Sequence, residues 1–436
     1  MVGARARIAG LWLMRVLVAG VSAVTAQADA LRVPEDYSSV LAAVDAAVSG
    51  DSVLVGPGTW SDLDTRTVLV CGGPFISTSA AFLKPGLTLI GVDGPTSTHL
   101  VGSVGGAGVT SFTLIAADVG DPIRVQGFSI TSGEVGAAVG CASDLVFSDC
   151  HFVDCGEEAI AMKQTAISLD DCLVSGNQGS GFASGAIAAS FSSDLTVRNT
   201  RFESNPRGAV SANDPARILI EGCEFVDHLV RRPVTVQKCN NVMIRDSLFL
   251  RNRTTGTNIS GAAIQLGSFS VGTIEFNTFA YDSALASSGA AVHVSSSWAT
   301  VRGNTFYRCY TPGVGAAVYV TGTATVNCQN NIVVECDGYA LSSSSGTVLP
   351  QSGCNILWNN TEDYWQWPDE VAATDIPADP LFCDSESLDF TVGSSSPALS
   401  ENSPACGPIG AHPQGCGTVA IEPTTWGRLK SLYREP

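Results

Sequence analysis

The sequence predicts an all-β solenoid, a parallel β-helix. The first observation is a recurring string. Gly-Ala-Ala-Ile-Gln-Leu (261–266), Gly-Ala-Ala-Val-His-Val (289–294) and Gly-Ala-Ala-Val-Tyr-Val (315–320) each lead through a turn to a second apolar run. The second observation is its period. With the second run in register, units start at Ile123, Leu145, Ile167, Leu195, Ile218, Val242, Gly272, Ala299 and Val326, in steps of 22, 22, 28, 23, 24, 30, 27 and 27 residues. Periods of 20–50 residues mark solenoids. The third is alternation within the unit. Val, Ile, Thr and Phe recur at every second place, and no such run is long enough for a helix. The Leu-x-x-Leu-x-Leu framework of a leucine-rich repeat is absent. Units differ by up to eight residues, so the inserts belong in loops on a constant coil of about ten turns.

The register predicts columns. Two places after the start, Phe147, Leu169, Val197, Ile220, Ile244, Ile274 and Val301 face inward. Seven places after it, Phe152, Val174, Phe202, Phe225, Phe249, Phe279, Phe306 and Val333 form an interior column with rungs about 4.8 Å apart. The fourth place holds Asp149, Asp171, Asn199, Gly222, Asp246, Gly303 and Asn330, types that tolerate a left-handed bend, with Phe276 the exception. The tenth holds Asn177, Asn205 and Asn252, whose amides can bond from rung to rung, among Cys155, His228, Asp282, Cys309 and Cys336. The third holds Asp170, Arg198, Glu221, Arg245, Glu275 and Arg302. This alternation of charge is expected to help fix the order of the rungs.

The ends read differently. Residues 1–30 have the pattern of a secretory signal: Arg5, Arg7 and Arg15, a short apolar run at 16–24, and small-x-small sites that place cleavage near Ala28 or Ala30. The apolar run is too short to span a bilayer. Residues 31–60 predict a strand, an amphipathic helix of about three turns with a stripe of Val40, Leu41, Val44 and Val48 ending near Gly50, and a second strand. A solenoid exposes its end rungs, and this helix is the expected cap. Coils occupy 61–353, irregular before Ile123, and closing coils and a cap occupy 354–416. A basic tail follows at 417–436.

The strand Gly50-Asp51-Ser52-Val53-Leu54-Val55-Gly56-Pro57-Gly58-Thr59-Trp60, with the helix before it, resembles the opening of secreted right-handed parallel β-helix proteins of the pectate-lyase-like superfamily. The resemblance covers roughly 31–415. It implies a right-handed coil and export, and it is unspecific for activity, because that superfamily holds lyases, hydrolases, adhesins and proteins with no known reaction.

Composition excludes some partners. The chain has 436 residues, a net charge of −18 and four lysines, which argues against nucleic acid and anionic lipid. An acidic polysaccharide would need a bridging cation or a local arginine patch. The mature chain is expected to be monomeric, without a membrane span. All 14 cysteines follow the signal. Export permits disulfides, expected at Cys354, Cys383, Cys406 and Cys416. The pairs Cys150/Cys172 and Cys309/Cys336 stand in adjacent rungs, where they can bridge or pack as thiols. No Cys-x-x-Cys or paired His suggests a metal.

Two candidate sites emerge. Thr235, Gln265, His293 and Tyr319 fall one per rung between inward apolar residues, an outer strip of amide, imidazole and phenol suited to a sugar chain. Arg231, Arg232, Arg251 and Arg253 form the densest basic group. The resemblance implies the chemistry to look for there: a polysaccharide lyase uses Arg or Lys as base, often with Ca²⁺, and a polygalacturonase-type hydrolase uses Asn-Thr-Asp, Asp-Asp and Gly-His-Gly on successive coils. Asp170-Asp171 is the one Asp-Asp pair, and no Gly-His-Gly exists. The expected function is a binding or structural β-helix of the cell surface or envelope, in contact with carbohydrate. The alternative is a polysaccharide lyase or glycoside hydrolase.

Overall fold

The computed structural model describes residues 28–104, 109–117, 120–142, 144–179, 185–256 and 260–416. The signal (1–27 of it) and the basic tail lie outside the described residues. Alternating short strands wind into three parallel sheets. Sheet A has 13 strands, from Ala30–Val33 to Thr347–Val348, and sheet B has 12, from Gly58–Trp60 to Ile356–Trp358. Sheet C has 15, because inserts add short strands to it. Twelve rungs in sheet B slightly exceed the expected ten, since the irregular coils before Ile123 also pair.

The expected register is the observed one. Every start pairs with the next, from Ile123↔Leu145 to Ala299↔Val326. Inside, Phe202, Phe225, Phe249, Phe279 and Phe306 stack nearly parallel, with ring centroids 4.6–4.9 Å apart. The fourth-place column bends as expected, with φ of 47–63° at all eight residues. Phe276 is tolerated there because Gly303 lies on the next rung. A Cβ at Gly303 would stand 2.6 Å from the Phe276 ring.

The asparagine column is a hydrogen-bonded ladder. The backbone N–H and the amide of Asn177 both donate to Asn205 Oδ1, at 2.9 and 3.1 Å. His228 Nδ1 and Asn252 Oδ1 are 3.0 Å apart, and Asn252 donates twice to Asp282 Oδ1. A second ladder, Asn277–Asn304–Asn331–Asn355, bonds in the same way. The sequence reading of that column noticed only its cysteines.

The charge ladder also forms. Glu221 pairs with both Arg198 and Arg245, and Arg302 with Glu275. Arg245→Glu would set three carboxylates on consecutive rungs. A loss of about 1 kcal/mol is expected, shrinking as salt screens the repulsion. Urea denaturation at low and high salt measures both; equal stability to the parent at low salt would refute a role for the ladder.

The N-terminal helix α1 (Val40–Ala46) has 7 residues, two turns rather than the expected three. Ser39 caps it, accepting from Ala42 N–H at 3.2 Å. It buries Val40, Ala43 and Val44 on the first strands, while Val48 is 57% exposed beyond its end. At the other end Trp367 and Val371 close the core. Residues 382–416 instead lie along the outside of sheet B, where Phe390 and Val392 pack on Leu250, Ala280, Tyr307 and Val334. Disulfides Cys354–Cys406 and Cys383–Cys416 hold that segment. They join the four cysteines expected to bridge. The eight free cysteines are all buried, so the interior columns pack as thiols.

Candidate functional site

Side chains of sheet C alternate inward and outward, so one outward column runs Ala138, Ala161, Ala188, Ser211, Thr235, Gln265, His293 and Tyr319. The expected strip is its polar half. Beside it runs a second outward column that includes Lys163, Ser190, Asn213 and Gln237.

The strip is not the flat solvated face expected from the sequence. His293 is only 6% exposed. The chain lies close over the strip at each Gly-Ala-Ala string, and the glycine makes this approach possible. Gly261, Gly289 and Gly315 all have φ near +80°. A Cβ at Gly261 would lie 3.2 Å from His293 Cβ, and one at Gly315 only 2.5 Å from Tyr319 Cβ.

His293 is held on every side. Its ring stacks on Tyr319 at 5.3 Å. Gln265 Nε2 lies 3.4 Å from Nδ1, and Nε2 lies 2.9 Å from Thr321 Oγ1. An amide nitrogen can only donate, so Nδ1 accepts and Nε2 carries the proton given to Thr321. Burial pushes the imidazole down to about 4, and the Arg232 charge adds to the effect. A neutral ring with both nitrogens engaged is a support for the strip, not a proton carrier.

The basic group does not gather. Arg251 Nε and Nη2 donate to the two Asp227 oxygens at 2.9 and 2.8 Å, a fork that closes that pair. Arg253 sits exposed on the short strand Arg253–Thr254. Arg231 is exposed, and its backbone bonds to Pro206, which sets it one rung from Arg207. Arg232 alone joins the strip. Its Nε donates to Thr235 Oγ1 at 3.0 Å, and its Nη1 donates to the Ser260 carbonyl. Burial, then the Arg231 charge, brings this guanidinium down to about 10, and among the described residues it forms no ion pair with a carboxylate. Sequence reasoning passed over Arg207; the signal was its place before Gly208, on the same corner one coil earlier.

The other expected chemistry has no assembly. Asp171 occupies a left-handed turn and Asp170 accepts from Asn199 at 2.9 Å. Among the described residues no group of three or more His, Cys, Asp or Glu is arranged to hold a metal, and no helix is long and apolar enough to cross a membrane.

Three sheets stacked rung on rung define a parallel β-helix protein. The chain belongs to the right-handed β-helix family: the family profile described as "Right handed beta helix region" matches residues 114–261 and 253–363. This establishes the hand of the coil, right-handed as the resemblance of the opening strands implied. No curated protein matches significantly. Among solved structures the chain is similar to an alginate lyase from Paenibacillus sp. str. FPU-7 (16% identity, 76% of this chain and 97% of that one, TM-score 0.41). It is also similar to the A-module of the mannuronan C-5 epimerase AlgE4 from Azotobacter vinelandii (12%, 78% and 94%, 0.35) and to PfbA, a surface adhesin of Streptococcus pneumoniae (12%, 76% and 91%, 0.34).

Proposed function

We propose that this is an exported β-helix that binds an acidic polysaccharide along the outward face of sheet C, without cleaving it. One observation carries the reading: Arg232, partly buried and without a carboxylate partner among the described residues, lies against the strip at Thr235. A desolvated cation lacking a counter-ion favours an anionic ligand. Thr235, Gln265 and Tyr319 supply hydroxyl and amide groups on the following rungs, and Asn213 and Gln237 supply them alongside. His293 serves to hold Gln265 and Tyr319 in place. Three disulfides support export.

The lyase alternative draws on the same residue, because an arginine brought down to about 10 is closer to serving as a base. The test is the purified protein on a panel of neutral and acidic polysaccharides, with and without Ca²⁺. Retention on a polyuronate at low salt is expected, with no unsaturated product and no new reducing ends. Arg232→Gln should weaken that retention about tenfold. Equal retention of parent and variant would overturn the site, and unsaturated product would make the protein a lyase.

A further inference from the structure

Strands Asp64–Val70 and Gly73–Leu83 form a hairpin whose second strand is itself a rung of sheet C, and the hairpin tip lies over the outward face of the next rungs, before the strip. Phe75 packs on Phe112 with ring centroids 5.7 Å apart. Val68 and Val70 join Phe82, Phe112, Ile115 and Val135 in an apolar cluster separate from the main core. At the hairpin tip Cys71 is bonded to Cys141, with Cα atoms 5.0 Å apart. Gly140 beside it admits the tip, since a Cβ there would stand 2.6 Å from Val70 Cγ1.

Under this roof lies a cavity of ≈ 350 Å³. Protein interiors leave few voids larger than a water molecule. A dry cavity of about 150 Å³ holds one benzene ring, and ligand pockets begin near about 300 Å³. Phe75, Phe112 and Ile115 wall it, and Ala138, Ala161 and Ala188 floor it. The same outward column carries Thr, Gln, His and Tyr on later rungs. It is reduced to alanine where the hairpin overhangs it, which keeps the space open. Lys163 stands in the lining. Its Nζ is 5.2 Å from the Phe191 ring centre, and among the described residues it makes no ion pair. Glu158, also in the lining, is buried and engaged within the protein.

We propose that this cavity binds a small amphiphilic anion. Its aryl or short acyl body lies under the hairpin and its anionic head meets Lys163. Apolar walls, with one cation at the rim that forms no ion pair among the described residues, complement that chemistry. The site is independent of Arg232. Ala161 and Thr235 are three rungs apart, about 14 Å, so either site can fail without the other.

The test uses the intact, oxidised protein and the fluorescent anion 8-anilinonaphthalene-1-sulfonate. One saturable site with enhanced emission is expected, from which decanoate displaces the probe. Ala161→Leu fills the floor and should weaken the probe at least about tenfold, with the melting temperature retained. Lys163→Gln should weaken it about tenfold, while leaving the uncharged N-phenyl-1-naphthylamine unaffected. Absence of a saturable site, or full affinity in Ala161→Leu, overturns the proposal. Should Ala161→Leu fold poorly, Lys163→Gln decides: equal weakening of charged and uncharged probes overturns the anionic head, and selective weakening upholds it.

Discussion

Asp282→Asn is expected to stabilise the protein above neutral pH and to remove a component of its pH dependence. Asp282 stands in a ladder otherwise built of amides. Its Oδ1 accepts from the backbone and amide of Asn252 at 2.8 and 2.9 Å, while Oδ2 is buried without a partner. Burial raises the carboxyl from 3.8 to about 7. The sign follows. Between those values the unfolded chain has released its proton and the folded chain still holds it, so stability falls as pH rises. The fall is complete above about pH 7, at ~1.36 kcal/mol per unit of pKa difference, a few kcal/mol in all. Each ladder asparagine donates to the carbonyl seven places after the start of the previous rung. Asn177 reaches Phe152, Asn205 reaches Val174 and Asn252 reaches Phe225, at 2.8–3.0 Å. An amide at 282 would reach Phe249 by the same rule and never ionise. Thermal melts of parent and variant from pH 5 to 8.5 measure this. The difference in melting temperature should widen with pH and level off near 7.5. A constant difference would mean that Asp282 does not titrate in this range.

Phe249→Ala should cost about 3–5 kcal/mol, because the void it leaves cannot collapse. The ring is fully buried and stacked at 4.6 Å on Phe225 and 4.8 Å on Phe279. Those neighbours are fixed by the hydrogen bonds of their own strands and cannot move in to fill the space. Denaturant titration reads the loss. A cost below about 1 kcal/mol would show that the coils adjust more freely than the parallel rings suggest.

Period-2 alternation in β-branched and aromatic residues was sufficient to place nine rungs in register, because a slip by one residue would turn every Val and Ile outward. The Gly-Ala-Ala strings were visible too, but their reason was not. Gly261, Gly289 and Gly315 make room for a return of chain that only the fold brings over His293. That return turns an apparent surface imidazole into a buried one. The hairpin at 64–83 escaped for a related reason. Its first strand lies outside the repeating coil, paired antiparallel to the second, whose residues 77–83 form a rung of sheet C, so no period marks the return. The bond from Cys71 to Cys141 spans 70 residues that nothing local connects. Of the arginines, Arg251 and Asp227 were legible as a pair from their spacing. The approach of Arg232 to Thr235 depends on a loop path that composition does not encode.

Eight thiols remain reduced in a chain that carries three disulfides. Burial pushes Cys150 and Cys223 up to about 12, so in the folded state these two are neither reachable nor nucleophilic. The coil itself is therefore what keeps them from pairing wrongly under conditions that form the three disulfides. Opening a rung that carries one of these free cysteines exposes a thiol at a known position. Alkylation followed by peptide mapping would turn these cysteines into clocks for the coils that hold them, reading how long each stays closed without any engineered residue.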